Sequence, residues 1–419
     1  MAIETISQSW GSRVGGAFKG ILVGFVLVGV SIFLLFWNEG RTVKRTSALK
    51  EAARVVVEAK PSPLDSNLEG KVVHLTGDAV SEETLVDPYF NVSVEGIKLS
   101  RKVEIYQWEE NVESSTSRGS GGSETTKKTY SYNKVWSENL IDSSNFYESG
   151  HENPSTVPVQ SESFIAKRVS LGDYVLSDSL VEQTGPSEPF VPDQAISTNV
   201  KENENVPDVS GADSSDASDD DQAPVDPLLD LNNEAETQDD KTNSSTLAGF
   251  VKTSDGFYKG TIDTPQIGDM RVSFELVPPT APISVISQQS GDSFVPYKAK
   301  TGEVELLEFG IVDANEMFSR AHRSNKLIAW LLRLVGFVVM SLGFATIFKP
   351  LAVVADVVPF LGKFVGAGTG VAAFCLALAV SCLTIAAGWI AYRPLVAIPL
   401  VVASLAAIVY PFFKGKKSK

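Results

Sequence analysis

The sequence predicts a multi-pass α-helical membrane protein, with four transmembrane helices and a large β-rich α+β extramembrane domain inserted between the first and the second. Two observations predict it. The stretches from about 17 to 37 and from about 327 to 413 are nearly free of charge and long enough to cross hydrocarbon. The chain between them is polar, acidic and patterned mainly like strands.

The first apolar run, 17–37, ends in Trp37, Asn38, Glu39, Gly40 and Arg41 rather than in a small-residue cleavage site, so it reads as an uncleaved signal anchor. Upstream, within 1–16, Ile3, Ile6, Trp10 and Val14 fall on one helical face and predict a short amphipathic helix on the membrane surface. Asp313 and Glu316 have capping-box spacing, which starts a helix that runs into a second span, 327–348. Arg333 lies near the entry side of that span, where it can snorkel to headgroups. Residues 349–364, with Pro350, Asp356 and Pro359, read as an interfacial or re-entrant piece. The third and fourth spans, 365–392 and 395–413, are separated by little more than Arg393 and Pro394, which forces an antiparallel hairpin. Four spans place both termini on one side. The tail 414–419, carrying Lys414, Lys416, Lys417 and Lys419, favours the cytoplasm. Arg41, Lys44, Arg45, Arg320, Arg323 and Lys326 flank the middle region and argue the other way, but long translocated domains escape the rule.

The middle divides into a β-rich lobe, 42–192, an acidic insert, 193–245, and a second β-rich lobe with a helix leading to the membrane, 246–326. Met270, Val272, Phe274 and Leu276 alternate with Asp269, Arg271, Ser273 and Glu275, the period of a half-buried strand. Stretches 103–108 and 129–136 read as a strand pair joined by a mobile, Ser/Gly/Thr-rich tip at 114–128. Further strands are expected at 71–76, 257–262, 283–287 and 304–309, and a helix at 47–59. The insert lacks aromatics and concentrates Asp219, Asp220 and Asp221, so it is expected to stay disordered. Its acids have neither the spacing nor the glycine of an EF-hand.

The formal charge of −15 comes largely from that insert, and no Lys/Arg stripe long enough to follow a phosphate backbone is present, which argues against a nucleic-acid partner. The two cysteines, Cys375 and Cys382, share a helical face roughly 10 Å apart along the axis, too far for a disulfide within one helix. His74, His151 and His322 have no neighbouring His or Cys at metal-ligand spacing. The pairs Glu82/Glu83 and Glu109/Glu110 read as solvated loop charges, and no Gly-x-Ser-x-Gly elbow occurs. No catalytic, cofactor-binding or metal-ligating residue is singled out, and no cofactor is expected.

Gly16, Gly20 and Gly24 recur every four residues, as do Gly362, Gly366 and Gly370, an interval that lets helix backbones approach closely in lipid. They serve packing within the helix set or association between chains. A phosphate loop at 366–370 fits poorly, because no Gly-Lys-Ser/Thr ending follows and the segment opens a membrane span.

Several strings in fixed order point to a family. They are Asn-Glu-Gly-Arg at 38–41, RKVEIYQW at 101–108, YSYNKVW at 130–136, Asn153-Pro154-Ser155, GDMRVSF at 268–274, Arg323-Ser324-Asn325 and AAGWIAYRPL at 386–395. Across nearly the whole chain the sequence resembles the transmembrane protein 43 (LUMA) family, with a longer acidic insert. The resemblance implies four spans, cytosolic termini and a lumenal or periplasmic domain. It also implies a membrane organiser with no assigned catalytic residues. A eukaryotic member is expected in the endoplasmic reticulum and inner nuclear membrane with emerin- or lamin-type partners, a bacterial one in the cytoplasmic membrane without them. The expected function is a non-enzymatic scaffold that self-associates, a homo-oligomer organising membrane proteins or lipids. The competing readings are a membrane-tethered enzyme and an oligomeric channel or transporter.

Overall fold

The structure is a computed structural model that describes residues 1–119, 121–192, 249–356 and 359–394, with the side chains of the last segment described from 364. The acidic insert, the predicted fourth span and the basic tail lie outside the described residues.

Three helices are long and apolar enough to cross a membrane. The first, α1 (Trp10–Val55), is capped by Ser9, whose side chain accepts from the Ser12 amide at 3.4 Å. Its apolar run passes without a break into the helix predicted at 47–59, so span and stalk are one rod. Ala48, Leu49 and Ala52 at its far end pack with Ile286, Val304, Met317 and Phe318, which seats the rod on the β-rich region. The second, α2 (Ala314–Ala355), is capped by Asp313, which accepts from Asn315 N at 3.0 Å. It runs antiparallel to α1. The third, α3 (Pro359–Tyr392), packs on both. These helices turn large apolar side chains outward: Leu22 is 74% exposed and Phe33 70%. Such a surface is stable against lipid and not against water.

Within the interfacial segment expected at 349–364, the described residues up to Ala355 and from Pro359 are helical. α2 continues through Pro350 to Ala355, and α3 opens at Pro359. Proline costs an intrahelical hydrogen bond, but neighbouring helices and local adjustment absorb this in membrane helices.

Glycine contacts divide sharply. A Cβ on Gly24 would meet Ile347 Cγ1 at 2.6 Å and the Gly343 carbonyl oxygen at 2.7 Å, and one on Gly336 would meet Leu35 Cδ2 at 2.6 Å. Gly24, Gly336 and Gly343 therefore set the close approach of α1 and α2. Gly16 and Gly370 have nothing within 4 Å. The four-residue interval thus marks the packed face only in part.

The β-rich region is built on two large sheets, and both draw strands from either side of the insert. In one, β2 (Val72–Val80) pairs antiparallel with β7 (Thr280–Ser290), which also carries β8 (Leu306–Phe309). In the other, the order is β1 (Ala2–Gln8), β4 (Glu124–Ser137), β3 (Lys98–Arg118), β6 (Met270–Val277) and β5 (Gly256–Lys259). Phe90 stacks on Phe257 with centroids 4.8 Å apart, and Phe250 and Phe274 meet it edge-on. One core spans the insert, so the two predicted lobes share one hydrophobic centre. Buried in it, Arg101 places one guanidinium nitrogen 2.7 Å from both oxygens of Asp87.

Two expectations fail at the β3–β4 hairpin. The mobile tip predicted at 114–128 is mostly strand: β3 runs to Arg118 and β4 starts at Glu124. Gly121 and Gly122, at φ +82° and +78°, make the turn. Ser and Thr, which looked like loop composition, instead face each other across the ladder, as Thr116 and Thr126 do. The amphipathic helix predicted for 1–16 begins only at Trp10, because Ala2–Gln8 forms β1 on the free edge of β4, from Ala2 opposite Tyr130 to Gln8 opposite Glu124. Pairing supplies every second backbone group with a partner that an isolated surface helix would have had to earn from nucleation.

Candidate functional site

Two polar clusters and one cleft lie where the helices meet. The first centres on Glu39, just past the apolar run of α1 and 0% exposed. Arg333 of α2 donates to it through Nε at 2.7 Å and a terminal nitrogen at 2.9 Å, and Trp389 of α3 donates through Nε1 at 2.9 Å. All three helices thus converge on one carboxylate. Arg333 does not snorkel outward as expected, because a buried partner within reach outweighs headgroup contact. Its guanidinium also lies 5.0 Å from the Trp330 ring centroid. A Cβ on Gly388 would meet Glu39 Cβ at 2.9 Å, so the glycine admits the acid between helices. Next to this cluster Asn38 donates to the Ala329 carbonyl at 3.0 Å, and Asn325 donates to the Thr42 carbonyl and Thr46 Oγ1, both at 3.1 Å.

The second cluster closes the opposite end. Arg13 of α1 lies 2.7 Å from Asp356 at the end of α2 and 3.0 Å from Glu124 on β4. It also donates to the Gly122 carbonyl. Arg118 of β3 reaches the other Asp356 oxygen at 3.1 Å, and Trp10 donates to the Val353 carbonyl at 2.9 Å. The hairpin tip is therefore tied to the helix ends farthest from the β-rich core.

This gives the hairpin an unusual position. Its base belongs to the main sheet, with Ile105 opposite Met270. Thirteen residues on, at about 3.3 Å each, Arg118 lies about 43 Å away. Along α1, Arg13 touches the tip, while Arg45 donates to the Glu303 carbonyl of the β-rich region at 2.7 Å, about 48 Å further up the helix. The β1–β4–β3 ribbon therefore runs beside the bundle through the depth of its apolar belt. Glu109, Glu113, Ser115 and Ser117 on β3 are exposed.

The cleft, about 870 Å³, opens between α1, α2 and the end of α3. Lys50, Arg323, Lys326 and Arg393 line it with Trp330 and Trp389, and among the described residues none of these four cations forms an ion pair with a carboxylate.

The residues weighed for catalysis are scattered. His74 lies between Glu58 (2.7 Å) and the Val312 carbonyl (2.9 Å), His151 stacks on Tyr132, and His322 lines the cleft. Glu110 accepts from Tyr132 Oη and the Tyr147 amide, and Glu83 from the amides of Lys167 and Arg168, so these acids order loops rather than sit free in solvent. Cys375 and Cys382 are free and exposed on α3. Among the described residues no group of three His, Cys, Asp or Glu is placed to hold a metal ion. Sequence reading passed over Glu39 as the polar end of a span. The signal available was an acid and an arginine at matching depth on antiparallel spans.

Comparison with known proteins adds a family. The family model described as transmembrane protein 43 matches residues 105–394. Transmembrane protein 43 of Pongo abelii is 32% identical over 97% of this chain and 90% of its own length, and that of Homo sapiens is 31% identical over 97% and 92%. A transmembrane protein 43 homolog of Drosophila melanogaster is 29% identical over 97% and 96%. No solved structure matches.

Proposed function

This chain belongs to the transmembrane protein 43 family, and from that premise we propose that it is a non-enzymatic integral membrane scaffold that self-associates and organises membrane proteins or lipids. The ribbon is the observation that supports this reading. An unpaired backbone group facing hydrocarbon costs several kcal/mol, so open sheet edges are not tolerated against lipid. Beyond Glu109 the outer edge of β3 meets no further strand among the described residues, and neither does the outer edge of β1. Leu22, Phe25 and Phe33 on the adjacent helix require lipid. One flank of the bundle needs lipid while the other needs water or protein. Association of copies with ribbons facing inward and helices outward satisfies both. In a eukaryotic cell this reading carries endoplasmic reticulum or inner nuclear membrane placement and emerin- or lamin-type partners. In a bacterial cell it carries the cytoplasmic membrane.

Mass measurement of the full chain released from native-lipid discs tests it. The expected result is a defined multiple of 45.0 kDa. A strict monomer in lipid overturns the proposal.

The same ribbon favours a second reading, an oligomeric conduit, because inward-facing Glu, Ser, Thr and Lys side chains would line water at membrane depth. Ion flux into liposomes carrying the protein, above that of empty vesicles, supports it. Indistinguishable flux removes it and leaves the scaffold reading intact.

A further inference from the structure

We propose that the cleft between α1, α2 and the end of α3 binds the phosphate-bearing headgroup of an anionic phospholipid. The inference needs only that the helices sit in a bilayer, and it stands whether or not copies associate.

Charge carries the first part. The chain holds 51 acidic residues against 36 Lys and Arg, yet among the described residues no Asp or Glu lines this cleft. Arg333, at its inner end, is neutralised by Glu39. Lys50, Arg323, Lys326 and Arg393 are not neutralised by any described carboxylate. Four cations from three parts of the chain converge on one space, and among the described residues none of them is paired with a carboxylate. Guanidinium forks and ammonium groups together match phosphate oxygens.

Depth and shape carry the second part. The cations begin where the apolar run of α2 begins, at Lys326 and Leu327. Below Arg323 on the same helical ridge, beside the cleft, Leu327, Leu331 and Leu334 stand 68%, 58% and 61% exposed. Trp330 and Trp389 lie at the junction, where indole rings favour the boundary of headgroup and hydrocarbon. The surface thus presents an apolar track leading up to an uncompensated cationic cleft, the outline of a phospholipid with a net negative head. A basic pocket between membrane helices is the physical form such recognition takes. Free inorganic phosphate would satisfy the cations but not use the leucine track.

The experiment uses the full chain in mixed micelles with equal phosphatidylglycerol and phosphatidylcholine, and reads retained lipid by native mass spectrometry. Phosphatidylglycerol is expected to be retained at least tenfold over phosphatidylcholine. The triple variant Lys50→Gln, Arg323→Gln, Lys326→Gln, all at exposed positions, is expected to lose that preference. The triple variant Lys60→Gln, Lys102→Gln, Lys252→Gln, three exposed cations away from the cleft, is expected to keep it and controls for the loss of three positive charges. Because the variants sit on the surface, an unchanged thermal transition certifies the fold. Equal retention of the two lipids overturns the proposal, as does a preference that survives in the triple variant. Displacement of the lipid by millimolar inorganic phosphate would assign the cleft to a soluble anion instead and overturn the lipid assignment.

Discussion

Glu39 of α1 and Arg333 of α2, 294 residues apart in the chain, form a two-pronged ion pair at 2.7 and 2.9 Å, and Trp389 of α3 donates to the same carboxylate. The side chains are 1% and 16% exposed. Removing one partner of a buried pair strands the other charge and costs about 3–5 kcal/mol. Glu39→Gln is therefore expected to destabilise the bundle by about 3 kcal/mol. The double variant Glu39→Gln, Arg333→Met recovers much of that, because no charge is left unpaired. Unfolding titrations of the full chain in mixed micelles measure both. A loss below about 1 kcal/mol for Glu39→Gln, the range of exposed ion pairs, would place the carboxylate in solvent.

Close packing predicts a contrast between two glycines of the same spacing series. Gly24→Ala drives a methyl into Ile347 and the Gly343 carbonyl, whereas Gly16→Ala meets nothing within 4 Å. Overpacking costs about 1–3 kcal/mol, and the obstacle here includes rigid backbone. Gly24→Ala is expected to weaken α1–α2 packing by that amount, and Gly16→Ala to leave it unchanged. Disulfide trapping rates between paired cysteines placed on the two helices read the difference. Equal effects would mean that the helices approach elsewhere.

The ribbon's surroundings can be probed by chemistry that only works in water. With Cys375→Ala and Cys382→Ala as background, a single Ser115→Cys is expected to react with a charged maleimide in intact membranes opened to both sides. A Leu22→Cys thiol is expected to stay unlabelled, since Leu22 belongs to the apolar belt. Protection of both positions would put the ribbon against lipid or a dry interface between copies and would remove the water-lined conduit.

Alkaline pH offers a test of the β-rich core. Burial first, then the nearby Asp269 carboxylate, pushes the Tyr258 phenol up to about 12. Its hydroxyl donates to Asp269 Oδ2 at 3.2 Å. A folded-state value above the unfolded value of about 10 means the folded form holds the proton more tightly. The contribution is complete below pH 10 and is lost as pH rises toward 12. It amounts to about 2–3 kcal/mol by proton linkage. Tyr258→Phe is expected to flatten the stability profile between pH 10 and 12, followed by β-sheet circular dichroism under denaturant. An unchanged slope would show the phenol to be solvated.

Much of the fold is legible from local pattern. The alternation at 270–277 is β6, the capping signal at Asp313 starts α2, and the apolar runs among the described residues are the three helices long and apolar enough to cross a membrane. The readings that failed are those where composition and context disagree. Ser and Thr at 114–128 read as loop but are strand, because cross-strand partners and an added β1 edge supply what propensity does not. Ile3 and Ile6 fit a helix by spacing and a strand by pairing, and pairing won. Of the candidate site, the flanking cations Arg323 and Lys326 were visible as charges beside a span, but not as a cleft.

The sequence by itself determined which parts of this protein need lipid and which need water, since transfer free energy is summed over neighbouring residues and requires no knowledge of partners. It also set the family, through uncommon strings in fixed order. Tertiary structure alone decided that Glu39 meets Arg333, that strands on either side of the insert share a core, and that a polar ribbon stands beside an apolar bundle. Each of these joins residues far apart in the chain. Such a pairing is chosen by competition among all partners the folded chain brings within reach, and no local period records it.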